Sequence, residues 1–308
     1  MSTRKTLDSL RRDIDKIDDA LHDLIVRRTK AVEGIRDLKR GQKVKIRPAR
    51  EAQILNRLMA RHKGPFPKRE LVRIWRELIV ATLSFEGPFS VAVYMPEPGS
   101  GYWDLARDQY GSFTPMTGHA SVRRVIEAVR SQEVTVGVVP LPTQDDTDPW
   151  WPYLATSSPG SPRVVARVPF AGQGNSRDAD EGGLVICPLA VKATGRDRSL
   201  IAIEAKDDIA LASLGPALAE ASLPATFTVQ SNAEQAPGMR LYLAEIDDFA
   251  AEDDRRVLRY LNDAGPTVQR VVVLGAYAVP LTPEQLAVAP AKKKPAHNEA
   301  PRRKAAPS

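Results

Sequence analysis

The sequence predicts a multi-domain chain of three parts: an all-α unit, then an α/β region, then an α+β domain. Three observations carry this. Apolar residues in positions 1–87 recur at helical spacing with few strand signals. Gly87-Pro88 ends that pattern, and short β-rich runs begin. From residue 198 the segments follow the order strand, helix, strand, strand, helix, strand, which is ferredoxin-like.

The first helix is expected over residues 6–40. Leu7, Leu10, Ile14, Ile17, Leu21 and Leu24 alternate three and four apart, a helix-pairing seam. Thr6 or Asp8 can cap it, and Gly41 can stop it. Its length is about 50 Å at 1.5 Å per residue, more than a single small domain covers. It is therefore expected to pair with a second copy of itself. A second helix starts near Pro48, a favourable first-turn proline, and ends before "KGPFP". A third, "KRELVRIWRELIVATLSFE", runs up to Gly87-Pro88.

In the middle region, "FSVAVY" (89–94), "VTVGVVPLP" (134–142) and "GGLVICPLAV" (182–191) read as strands, and "SVRRVIEAVRSQ" (121–132) as a helix. Residues 143–182 are rich in Pro, Gly, Ser and Asp and read as loop. The last domain comprises "RSLIAIEA", the helix "IALASLGPALAEA", "ATFTVQS", "MRLYLAEI", the helix "DDRRVLRYLNDA" and "VQRVVVLGAYA". The expected boundaries are 1–87, 88–196 and 197–285, with 286–308 a disordered basic tail.

Charge is unevenly spread. Residues 1–86 hold 22 Lys/Arg against 12 Asp/Glu, so +10; residues 290–308 carry +5, and the middle −9. A basic helical unit points to an anionic partner, a small acid or nucleic acid. Aromatic and Gly-rich stacking motifs are missing from the basic regions, so nucleic acid is not expected. Cys187 is the only cysteine, and His22, His62, His119 and His297 are scattered, so neither a disulfide framework nor a metal site is expected. No apolar run reaches membrane-spanning length and the N-terminus lacks an apolar signal core, so the expectation is a cytoplasmic protein without membrane contact.

Helix arithmetic groups the cations. Arg28 and Lys39 are eleven residues apart, three turns plus about 20°, and share a face. Arg11, seventeen residues before Arg28, lies about 100° around the helix. It cannot serve their pocket on the same chain, but in a paired dimer it can reach the partner's. The second helix adds Arg50 and Glu51, and the third adds Thr82 and Glu86, an i, i+4 pair. Four cations, a hydroxyl and two carboxylates in a helix bundle suit a dicarboxylate, because arginine grips carboxylates bidentately. Arg12, Arg27, Lys30, Arg36, Arg40, Arg57 and Arg73 read as solvated charges.

With those residues in view, 6–87 resembles the all-helical chorismate mutase family. "LRRDIDKIDDALHDLIVRR", the lysine eleven residues on, "RPAREAQIL" and "IWRELIVATLSFE" match it in order and spacing. The resemblance implies an intertwined homodimer that converts chorismate to prephenate, in phenylalanine and tyrosine biosynthesis, without nucleophile, metal or cofactor. It implies that Arg11 crosses to the neighbouring subunit and that Arg28 and Arg50 hold substrate carboxylates. Lys39 would meet the ether oxygen and Glu51 the substrate hydroxyl. Thr82 stands where the family has Ser or another small residue, Glu86 where many members have Gln, and Arg47 where an acid is usual. An ionised Glu86 would repel the ether oxygen, so Glu86 is expected to act protonated, with activity falling as pH rises.

The remainder resembles the rest of a chorismate mutase–prephenate dehydratase. "FSVAVYMPEPGSGYWDLARDQYG" is similar to the dehydratase opening, and "IEAVRSQEVTVGVVPLP" to its "EAV…GVVPIENS". Here Pro142-Thr143-Gln144 replaces Glu-Asn-Ser, no Thr-Arg-Phe occurs, and about forty residues stand where a second lobe belongs. Dehydratase activity is expected to be lost. Residues 198–281 resemble an ACT regulatory domain through "VVVLGAYAVPL", with "LASLGPAL" and "TVQSN" in place of its effector-binding signatures. Two other readings remain open at this point: an isochorismate pyruvate lyase using the same pocket, and a non-enzymatic helical dimer with a small-molecule-sensing body.

Overall fold

The computed structural model describes residues 6–38, 46–83, 87–156, 158, 160–174 and 182–287. Three helices come first: α1 (Leu7–Leu38), α2 (Pro48–Arg61) and α3 (Lys68–Leu83). Thr6 is the cap of α1, its Oγ1 accepting from the Ser9 N–H at 3.2 Å. No residue of α1 is buried, and its whole seam from Leu7 to Leu24 is exposed. The shorter α2 and α3 behave otherwise. They bury Ala52, Leu55, Met59 and Val72 against Phe170, Ala278 and Leu281 of the body. Ile46 and Leu83 join a second apolar cluster there, with Val91, Val93 and Tyr110.

The body begins with β1 (Val91–Tyr94), α4 (Tyr102–Tyr110), β2 (Met116–His119), α5 (Val122–Arg130) and β3 (Val136–Pro140). Both β2 and β3 pair with β1 in parallel, so α4 and α5 are crossover helices. Ser121 caps α5, accepting from the Arg124 N–H at 3.4 Å. Next come β4 (Arg163–Val168) and β5 (Gly183–Cys187), then β6 (Asp197–Lys206), α6 (Leu211–Glu220), β7 (Ala225–Ala236), β8 (Met239–Ile246), α7 (Arg255–Asp263) and β9 (Val268–Ala278). A short helix, α8 (Pro283–Leu286), follows. The predicted βαββαβ order of the last part is observed, with antiparallel neighbours in the order β9-β6-β8-β7.

Residues 143–182 correct the expectation of loop. They contain β4 and a 3-10 turn at Trp151–Leu154. β4 is an interior strand, antiparallel to β5 on one side and parallel to β9 on the other. Among the described residues one nine-stranded sheet results, in the order β2-β1-β3-β5-β4-β9-β6-β8-β7. It runs unbroken across residues 196 and 197. The joint needs Gly275. Its φ is +141°, and a Cβ there would lie 2.1 Å from the Val164 carbonyl oxygen. On one sheet face, α5 and the buried Trp150, Trp151 and Leu154 span both halves in a single core. The other face is covered by α4 on one half and by α6 and α7 on the other.

Candidate functional site

Arg28, about two thirds of the way along α1, points at α3. Its Nη1 donates to the Leu78 carbonyl at 2.9 Å. Thr82, one turn further on α3, is buried and donates to the Ile79 carbonyl at 2.7 Å, with a longer 3.4 Å contact to the same Leu78 oxygen. Arg28 and Thr82 therefore meet over one turn of α3. Partial burial draws the Arg28 guanidinium pKa below its ordinary value, yet arginine stays cationic at neutral pH. Arg11 is elsewhere on the same helix, exposed and 3.6 Å from Asp8. The seventeen-residue separation places it about 25 Å from Arg28 along the axis.

α2 starts on Pro48 and carries Arg50 and Glu51 in its first turn. Arg50 is exposed, whereas Glu51 is buried. The Glu51 carboxylate has two anchors. Oε1 accepts from the Arg47 N–H at 3.2 Å, closing the start of its own helix. Oε2 takes Nη1 of Arg76, on α3, at 2.6 Å. Lys39 and Glu86 lie outside the described residues.

Arg76 is the residue that the sequence reading passes over. It sits with Val72, Ile79 and Leu83 on the buried face of α3. A cation on an apolar face was the available signal: such a charge is tolerated only with a partner. Its guanidinium carbon is 5.6 Å from the centre of the Phe170 ring, and its Nε has no partner among the described residues. Tyr110 of α4 is close enough to this pair that burial first, and the charge of Glu51 second, push its hydroxyl pKa well up.

Beside Arg76 a cavity of about 170 Å³ opens between α3, α4 and residues 168–174. Arg69 and Arg73 share it with Glu70 and Asp108, so its charges are mixed; Arg28, Arg50, Glu51 and Thr82 do not line it. Cys187 is buried, which pushes its thiol pKa up to about 12 and keeps it unreactive. Among the described residues no cluster of His, Cys, Asp or Glu fits a metal ion, and no helix is long and apolar enough to cross a membrane.

Residues 10–87 match the family described as chorismate mutase type II. A bifunctional chorismate mutase/prephenate dehydratase of Pseudomonas aeruginosa is 32% identical over 147 residues, covering 46% of this chain and 40% of that protein. One from Aquifex aeolicus is 31% identical over 140 residues, covering 44% and 38%. The chain thus spans about two fifths of the length of these relatives. Among solved structures, prephenate dehydratase from Streptococcus mutans aligns with a TM-score of 0.44 at 17% identity, over 62% of this chain and 98% of that one. A protein titled GqqA, a novel type of quorum quenching acylases, aligns with a TM-score of 0.47 at 13% identity, over 65% and 98%.

Proposed function

We propose that this chain is a chorismate mutase, rearranging chorismate to prephenate in a site completed by a second copy of itself. One observation carries the reading most of the way. Within the segment that matches the mutase family, α1 leaves its whole leucine seam exposed while Arg28 turns inward to α3. A second α1 on that seam buries the apolar stripe and brings the partner's Arg11 within reach of this chain's Arg28.

The reaction is pericyclic, so the protein's task is conformational and electrostatic. Arg11 of the partner subunit, Arg28 and Arg50 hold the two carboxylates, which folds the substrate into its near-attack shape. Lys39 meets the charge that grows on the breaking ether oxygen, and a protonated Glu86 donates to the same atom. Glu51 accepts from the substrate hydroxyl, and Thr82 borders the pocket. The interior of this protein is expected to supply everything the reaction needs without a cofactor.

The divisions 1–87, 88–196 and 197–285 are taken as segments of separate origin. The middle segment has lost the dehydratase residues, and the last is an ACT-like module retained for packing rather than effector binding. The setting is the cytoplasm, with no nucleic-acid partner. Incubating the purified chain with chorismate and following its disappearance, with prephenate identified as product, tests the reading. Wild type is expected to turn over and Arg28→Ala to lose about 100-fold or more in kcat/KM. No turnover by wild type overturns the proposal. Phenylpyruvate release from prephenate would overturn the loss of dehydratase activity alone. Glu86→Gln should flatten a wild-type profile that falls with rising pH.

A further inference from the structure

We infer that Arg76 is a positioning residue for the mutase site, and that the α/β body holds it there through Phe170. The inference rests on the mutase reading above and concerns how Glu51 is aimed. A carboxylate offers about four lone-pair directions. In Glu51 one oxygen is tied to the start of α2 and the other to α3, at 3.2 Å and 2.6 Å. Two anchors on two helices fix the plane of the carboxylate, and the remaining lone pairs are left for a donated substrate hydroxyl.

The ion pair has a physical oddity that stability does not explain. Both side chains are about nine-tenths buried, and Arg76 Nε is left without a partner among the described residues. Well-packed apolar residues serve a buried position at least as well as such a pair. What an apolar pair cannot do is orient a carboxylate. Arg76 is itself oriented from outside the mutase segment. The Phe170 ring, just past β4, stacks 5.6 Å from its guanidinium, and the fully packed Tyr110 of α4 closes the site. The body thus reaches the mutase site through two contacts, from Phe170 to Arg76 and from Arg76 to Glu51. That gives the shrunken middle region a task after the loss of its own chemistry: bracing.

Steady-state kinetics on the full chain with chorismate tests this, using Arg76→Met, Arg76→Lys, Phe170→Leu, Glu51→Gln and the double variant Arg76→Met/Glu51→Gln. Arg76→Met is expected to lower kcat/KM by about 30- to 100-fold, as misplaced groups do. Arg76→Lys, which keeps one donor, should recover most of that, and Phe170→Leu, which keeps the packing volume, should lose about fivefold. In the Glu51→Gln background Arg76→Met should add less than about threefold, because Arg76 acts through Glu51. Multiplying losses in the double variant overturn the proposal, since a merely structural arginine behaves that way. So does wild-type kcat/KM in Arg76→Met or in Phe170→Leu. If Arg76→Met does not fold, Phe170→Leu, alone and in the Glu51→Gln background, decides by the same criteria. Wild type without turnover overturns the mutase reading and this inference together, whereas active wild type with an indifferent Arg76 overturns this inference alone.

Discussion

α1 and α2 belong to one segment and both are amphipathic, yet α1 buries no residue while α2 buries Glu51, Ala52, Leu55 and Met59. An apolar stripe states that a helix has a partner; it does not state whether that partner lies on the same chain. Extent decides here. α2 and α3 are 14 and 16 residues long and pack against the body, whereas the 32 residues of α1 extend beyond what the described residues cover. The short helices find their cover in cis, whereas the seam of the long one is left exposed among the described residues.

Breaking that division should give the largest effect. Ile17→Asp with Leu21→Asp places charges on positions 58% and 52% exposed in the single chain. Sedimentation should then report a monomer, with turnover down by about 100-fold or more; a persistent dimer would break the contrast. Next comes the body itself. Gly275→Ala pushes a Cβ into the Val164 carbonyl, and denaturant unfolding should show a loss of about 4 kcal/mol. If α2 and α3 lean on the body, their protection from hydrogen exchange should fall with it.

Leu55→Ala sharpens the comparison directly. Leu55 is fully buried, so about 3 kcal/mol should be lost. Leu10→Ala on α1, measured at dilution below dimer dissociation, should cost less than about 0.5 kcal/mol. A smaller effect than that of Leu55→Ala belongs to a cap remote from both helices. Asp254 caps α7, accepting from the Arg256 N–H at 2.8 Å, and the Arg256 guanidinium holds its carboxyl pKa low. A depressed carboxyl contributes stability above its unfolded value and loses it as pH falls through the folded one. Asp254→Ala should therefore be less stable by about 1 kcal/mol near pH 7, with the difference closing in acid below about pH 4, and should leave the dimer intact.

What was readable from the sequence depended on how local the signal was. Pro48 placed the start of α2, and the valine-rich run "VQRVVVLGAYA" placed β9 at both ends. β4 was missed because its six residues, "RVVARV", carry two arginines and lie between prolines in a Gly/Ser-rich stretch. Its burial comes from two neighbours far away in the chain. The site divided in the same way. Arg11 and Arg28 both lie on α1, as their spacing predicts, about 25 Å apart along its axis. Spacing could not see that Glu51 meets Arg76, because that pair spans two helices. Arg28 also makes an unexpected bond, to the main chain of α3 at Leu78. Lys39 and Glu86 lie outside the described residues.

The parallel joint of β4 with β9, registered at Val164 and Gly275, bears on anyone who would dissect this chain. Cutting between residues 196 and 197 should not free an independent α+β unit. It leaves β4 on one fragment and β9 on the other, each with a raw row of amide and carbonyl groups, and strand edges of that kind recruit other strands. Trp150 and Trp151 would lose the part of their cover that comes from the far half of the sheet. Fragments made at that point should precipitate, whereas co-expressed halves can re-knit the seam. In the terms of a protein engineer, the joint of β4 with β9 is a seam to be kept whole, because strands from both sides of residue 196 complete one sheet across it.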